Sequence, residues 1–439
     1  MKRTILHLLL LAALTGSSAT GQLLNCASQP AASKLVCEFP FSTGVLANAA
    51  ALGASSSASA NGVASAQTVA TSINIGIATQ LSQLPLASAS AGTIEVYNAG
   101  VPETFNNLGP ILTDRAQVIG KGKVFVGATA SQYVFTKIDG IPLSSLTFSY
   151  SQNAVSQGSV ISTTYTSEST ALSFRMNQLV SVATVGLSNK VDLSVIVPVE
   201  RVSLGASTAN SVSYVQNAGS STAIGPAKNP NIYAAGTASG IGDIAINGKG
   251  VLWSGERATF SGGLTVRTPT GDDLNFLGSG AWGFNLHVLY SYLAKVSPHA
   301  EIGYQWNTTT ELNNPSLTFG KNQSLPGGMQ YDFGADWAAA KRVTVAADVL
   351  GSQYLNTPIY LPTNSAPISV ATSATATPTS QELKSSTVEN STYTISNLSA
   401  GVKIDPVRNL VLSGNVLVQL IDNGLHARPT PLVGISYKF

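Results

Sequence analysis

From about residue 120 to its end the chain alternates apolar and polar side chains with a period of two, the pattern of strands with one greasy and one wet face. In VDLSVIVPV, Val191, Leu193, Val195, Val197 and Val199 share one side and Asp192, Ser194 and the following Glu200 the other. GDIAINGKGVLW sets Ile244, Ile246 and Leu252 against Asp243, Asn247 and Lys249. Phe260, Leu264 and Val266 oppose Thr259, Ser261, Thr265 and Arg267, and the aromatic-rich WGFNLHVLYSY opposes its large residues to Asn285, His287 and Ser291. Ile302, Tyr304 and Trp306 then face away from Glu301 and Gln305, Met329, Tyr331, Phe333 and Trp337 from Asp332 and Asp336, and Val343, Val345 and Val349 from Thr344 and Asp348.

A soluble antiparallel sandwich alternates in the same way, so the connections decide. Short links near 187–190, 254–256, 295–298, 338–341 and 406–409 alternate with long ones near 207–236, 269–280, 308–327 and 353–390. Short turns at one end and long loops at the other are the habit of outer-membrane barrels. With less regular strands near 121–136 and 168–186, the tally is about twelve, an even number that returns both chain ends to the periplasmic side. The expected fold is therefore all-β: a closed antiparallel transmembrane barrel. The last strand, LVGISYKF, points Val433, Ile435, Tyr437 and Phe439 to lipid, and its terminal aromatic resembles the signal by which barrel-assembly machinery recognises its clients.

Composition supports a membrane protein. The 439 residues are 44% hydrophobic and only 10% charged, where a soluble domain carries roughly 25%. A net charge of +2 leaves no field of one sign to hold nucleic acid. No apolar run reaches the roughly eighteen residues of a spanning helix, which leaves strands as the way across. At the start, Lys2 and Arg3, the apolar run from Ile5 to Leu14 and the small Ala19-Thr20-Gly21 form a secretory leader, residues 1–21. Export favours a disulfide between Cys26 and Cys37 over a two-cysteine metal site, since no histidine cluster accompanies them. Residues 22–118 form an N-terminal periplasmic or plug-like segment, and 119–439 the barrel. Within that segment, 42–92 is rich in Ala and Ser, with room for a helix over 63–81; linker and plug are both open readings.

Several stretches resemble the outer-membrane protein family named for the MetA pathway of phenol degradation: SGIGDIAINGKGVLW at 239–253, RTPTGDDLNFLGSGAWGFNLHVLYSY at 267–292 and LPGGMQYDFGADWAAAKRVTVAADVLGSQY at 325–354. NQLVSVATVGLSNKVDLSVIVPVERVSL at 177–204 and GPILTDRAQVIGKGKVFVGATASQY at 109–133 are similar to it as well. The resemblance spans most of 109–439 and omits the Ala/Ser-rich part. It implies an outer-membrane barrel of a Gram-negative-type bacterium acting as a transporter or channel.

The lumen faces supply Asp243, Lys249, Arg267, His287, Glu301, Asp332, Asp336 and Asp348, with Lys403 a further candidate. Charges of both signs either tune ion passage or pair across strands and brace the wall. The Asp272-Asp273 pair beside Pro269 and Gly271 reads as a turn in preference to a calcium loop. Neither His287 nor His299 is accompanied by a G-x-S-x-G elbow, so an outer-membrane hydrolase ranks below a channel, as does a surface adhesin displaying the long loops. The expectation is a non-enzymatic passage for small solutes, including hydrophobic or aromatic ones, with no cofactor and no metal, its partners being outer-membrane lipid and the solute.

Overall fold

A computed structural model describes residues 107–439 apart from 157–158, 311, 313–322 and 408, together with Leu35–Cys37, Ile94–Asn98, Val101–Phe105 and residues 76, 77, 79 and 81. The leader and Cys26, and with Cys26 the expected disulfide, lie outside the described residues.

The alternating segments form twelve antiparallel wall strands. They are β1 (Val124–Ile138), β2 (Ser159–Gly186), β3 (Val191–Asn217), β4 in two pieces (Ile232–Ile241 and Ala245–Ser254), β5 (Ala258–Arg267), β6 (Gly283–Tyr292), β7 (Val296–Asn307), β8 (Gly328–Ala340), β9 (Val343–Asn364), β10 (Lys384–Val407), β11 (Leu410–Gln419) and β12 (Thr430–Lys438). Each pairs with its neighbour in sequence, and β12 pairs with β1 from Leu432 opposite Ser131 to Lys438 opposite Phe125. That last ladder closes the sheet, so no edge leaves unpaired backbone groups to face hydrocarbon. No helix among the described residues is long and apolar enough to cross a membrane.

On the long strands β2 and β3 the two faces change character at a definite height. On β3 the outward residues Val191, Leu193 and Val199 are exposed at 40 to 45%, while Asp192, Ser194 and Glu200 are buried inside. This outward apolar stretch runs about nine residues, the length a tilted spanning strand needs. Beyond it the phase inverts: Arg201 and Ser203 turn outward, and Val202, Leu204 and Ala206 are buried within. β2 inverts at the same level, with Leu179 and Val185 outward below, and Leu172, Phe174 and Met176 inward above. The paired residues Asn177 and Arg201 mark the boundary. Above it the long strands continue in water as a ribbon with its own apolar interior. This inversion is the physical reason the alternation over 168–186 looks irregular in the sequence.

Aromatic residues flank the belt. Trp253 and Trp337 lie beside the short turns and Trp282 and Trp306 at the opposite ends of their strands; all four are between 42 and 58% exposed. Such bands mark the two lipid–water interfaces.

Candidate functional site

Just before β1, the stretch NLGPILTDRAQVI (107–119) is almost wholly buried. It touches inward-facing residues of eight successive strands, β3 to β10, which places it inside the barrel. The Ile119 N–H donates to Asp192 Oδ2 on β3 at 2.8 Å, and Lys249 of β4 donates to Asp114 Oδ2 at 2.9 Å and to the Arg115 carbonyl at 2.6 Å. Ser261 of β5 donates to the Ala116 carbonyl, and the Ala116 N–H donates to Ser291 Oγ of β6 at 3.0 Å. Asn107 Nδ2 donates to Ser297 Oγ of β7 and to the Asp336 carbonyl of β8, the Leu108 N–H to Thr344 Oγ1 of β9 at 2.9 Å, and Lys403 of β10 to the Pro110 carbonyl. The segment is a stopper stitched to the wall by side chains.

Its centre is Arg115, 2% exposed. The guanidinium donates to the Asn107 carbonyl and side-chain oxygen at 3.1 and 3.0 Å and lies 3.4 Å from Asp336 Oδ2. Burial pushes this guanidinium down from its ordinary value, and Asp336 followed by Asp114 pulls it back up. Gly109 makes the fold-back feasible. Its φ is +79°, and a Cβ there would collide with the arginine head.

His299 stands beside this contact, its Nδ1 3.2 Å from Asp336 Oδ1, its Nε2 2.9 Å from Asp348 Oδ1 and 2.9 Å from Thr113 Oγ1. A hydroxyl, an imidazole and a carboxylate in sequence are the parts of a nucleophilic relay. Here a second carboxylate occupies the relay nitrogen: an Nε2 that donates to Asp348 cannot also take the Thr113 proton. The array suits a clamp better than a catalyst.

The remaining predicted residues fall into other groups. Asp243 holds the loop 268–282 inward: its Oδ2 accepts the Ser279 N–H and hydroxyl at 2.8 and 2.6 Å, its Oδ1 accepts the Gly271 N–H, and Arg267 is 3.9 Å away. Asp273–Asn275 is a short 3-10 turn, as the sequence favoured over a calcium loop. Among the described residues no group of three His, Cys, Asp or Glu is arranged to hold a metal. Glu301 and Asp332 face each other directly across β7 and β8, half-buried, and neither makes a hydrogen bond or ion pair to another described residue. His287 is buried against Gly263, and its Nδ1 makes no hydrogen bond within the described protein.

The lumen is two-sided. Along β4 to β8, Asn247, Thr265, Asn285, Glu301, Gln330 and Asp332 form a polar, partly solvent-reached wall. Above the stopper, Phe135, Leu172, Phe174, Met176 and Leu204 form an apolar cluster with Phe276 of the inward loop. Phe174 and Phe276 meet edge-on at 6.2 Å. Ile111 and Leu112 of the stopper, Leu35 and Val36, and Ile77 and Leu81 join this cluster. Part of the Ala/Ser-rich segment thus packs inside the barrel, with residues 76, 77, 79 and 81 in helical conformation. The residues that fasten the stopper lie later, however, at 107–119.

Residues 147–357 match the family model described as "Putative MetA-pathway of phenol degradation". No curated protein matches the chain. Among solved structures, the COG4313 outer membrane channel from Pseudomonas putida F1 is 11% identical with a TM-score of 0.42, covering 74% of this chain and 98% of that one. The NanC porin is 7% identical with a TM-score of 0.35, covering 71% of this chain and 100% of that one. A Pseudomonas aeruginosa FadL homologue is 11% identical with a TM-score of 0.31, covering 74% and 91%. At these scores the likeness is loose, and the barrel assignment rests on the closed strand ladder itself.

Proposed function

We propose that this chain, which carries the phenol-degradation family's pattern over residues 147–357, is an outer-membrane channel or transporter for passive passage of small solutes, held shut here by residues 107–119. The observation behind the reading is that a separate stretch of chain, residues 107–119, crosses the lumen and is fastened to the wall through side chains. A stopper of that kind can shift without breaking the strand ladder. The apolar cluster of Phe135, Phe174 and Phe276 above it supports hydrophobic or aromatic solutes, in keeping with the family's name, and the polar side offers a parallel wet route. No reaction and no catalytic residue is assigned. Phe439, 69% exposed beside Tyr437 at the closing seam, suits the expected role as an assembly signal.

Asp336→Asn tests the gate. It removes the carboxylate 3.4 Å from the buried Arg115 guanidinium, and breaking a buried pair costs roughly 3–5 kcal/mol. In planar bilayers the variant should open more often or conduct more than the wild type, with heat-modifiable migration checking that the barrel is intact. A folded variant whose conductance matches the wild type would remove residues 107–119 from the role of gate.

A further inference from the structure

The short turns carry a feature that passage through the lumen does not use. Lys121, Lys123, Lys190, Arg257, Lys295 and Lys341 are all exposed, and none forms an ion pair with a described residue. They sit at one level because neighbouring turns are tied together around the rim. The Val251 N–H donates to the Lys190 carbonyl at 2.8 Å, Leu293 to Arg257 at 2.8 Å, Ala338 to Lys295 at 2.9 Å and Asp405 to Arg342 at 2.9 Å. The ring closes where the Phe439 N–H donates to the Val124 carbonyl at 2.7 Å, beside Lys123. Within the turns 120–123, 187–190, 255–257, 293–295, 341–342 and 405–409 the acidic residues are Glu256 and Asp405, against eight basic ones. The chain as a whole is nearly neutral, with 23 basic and 21 acidic residues, so the excess at this rim is a local concentration and not a general basicity.

Trp253 and Trp337 lie a few residues inside the ring, on the lipid face, and place the lipid headgroups at the height of the lysines. Long flexible cations at that depth extend their ammonium groups to the phosphate level while their stems stay against the apolar band. Resting on the reading of this chain as an outer-membrane barrel with short periplasmic turns, we infer that the basic rim is a binding surface for anionic phospholipid of the periplasmic leaflet. The recognised chemistry is a phosphodiester headgroup with net negative charge, such as phosphatidylglycerol. The rim would anchor the barrel's depth and collect a collar of such lipids around its lower edge. Cations held unpaired and spaced around a circumference suit many small mobile anions better than one compact acidic partner.

The test is native mass spectrometry of the full chain released from mixed micelles containing equal phosphatidylglycerol and phosphatidylethanolamine. Wild-type protein should retain the anionic lipid preferentially, and the preference should fall as salt rises. The fourfold variant Lys121→Gln, Lys190→Gln, Arg257→Gln and Lys341→Gln should lose it, with an expected weakening of roughly fivefold for each charge removed. The single variant Lys228→Gln, on the opposite side of the membrane, should retain it. No preference in the wild type, or a preference unchanged in the fourfold variant, overturns the inference. So does a wild-type protein that binds an acidic peptide but does not discriminate between the lipids, a result that assigns the rim to a protein partner. Folding into the barrel, read by heat-modifiable migration, is scored separately, so failure of the barrel reading is distinguishable from failure of the lipid site.

Discussion

Glu301 and Asp332 are placed opposite each other by strand register on a lumen wall that water reaches, with no described cation bonded to either. Carboxyl groups directly opposed disfavour each other's ionisation, an effect of about 1 kcal/mol or less in a sheet when both are charged, and a carboxylate on the wall biases a pore toward cations. Neutralising both, as Glu301→Gln with Asp332→Asn, should reduce the cation-over-anion permeability ratio read from reversal potentials in a salt gradient, and should raise thermal stability slightly. An unchanged ratio would mean that ions follow another route. At this scale alternation alone predicts eight charged or polar lumen residues, and five of them, Lys249, Arg267, His287, Asp336 and Asp348, are buried. The grouping of Lys249, Asp336 and Asp348 was hidden, because it depends on Arg115, Asp114, Thr113 and His299, which meet them only once the chain has folded back through the lumen. The available signal was Asp114-Arg115, two charges in an otherwise uncharged stretch from 104 to 120, directly before the first strand.

Strands carry a sharper prediction. Because the apolar face of β3 changes sides between Val199 and Arg201, a basic residue is costly below that level and cheap above it. Val195→Arg should lower barrel stability by roughly 2–4 kcal/mol, the cost of a cation near the bilayer midplane, as measured by urea unfolding in vesicles. Ser203→Arg, four pairs farther along on the same outward side, should be nearly neutral. Equal costs at both positions would place the interface elsewhere. Period-two reading recovered the strands but not the inversion, since polar and apolar residues keep alternating while the solvent on each side is exchanged. It also missed how far β2, β3, β9 and β10 rise beyond the membrane, because the ribbons above the belt obey the rules of a soluble sheet.

At the scale of the whole molecule, closure and the proposed occlusion come from different parts of the chain. The ladder between β1 and β12 makes the barrel, and 107–119 runs inside it, fastened to the wall. Composition told the first story through scarce charge, and it was silent on the second, because a segment of small and mixed residues has the same composition whether it links domains or fills a lumen. The account as a whole requires the outward faces to meet acyl chains. All four tryptophans of the protein lie on that outer surface at the two ends of the belt. Their fluorescence in vesicles of brominated lipid therefore reads the claim without any substitution. The account predicts strong quenching, greater with bromine near the headgroup than at the bilayer centre. Unquenched emission in protein that cosediments with the vesicles would contradict it.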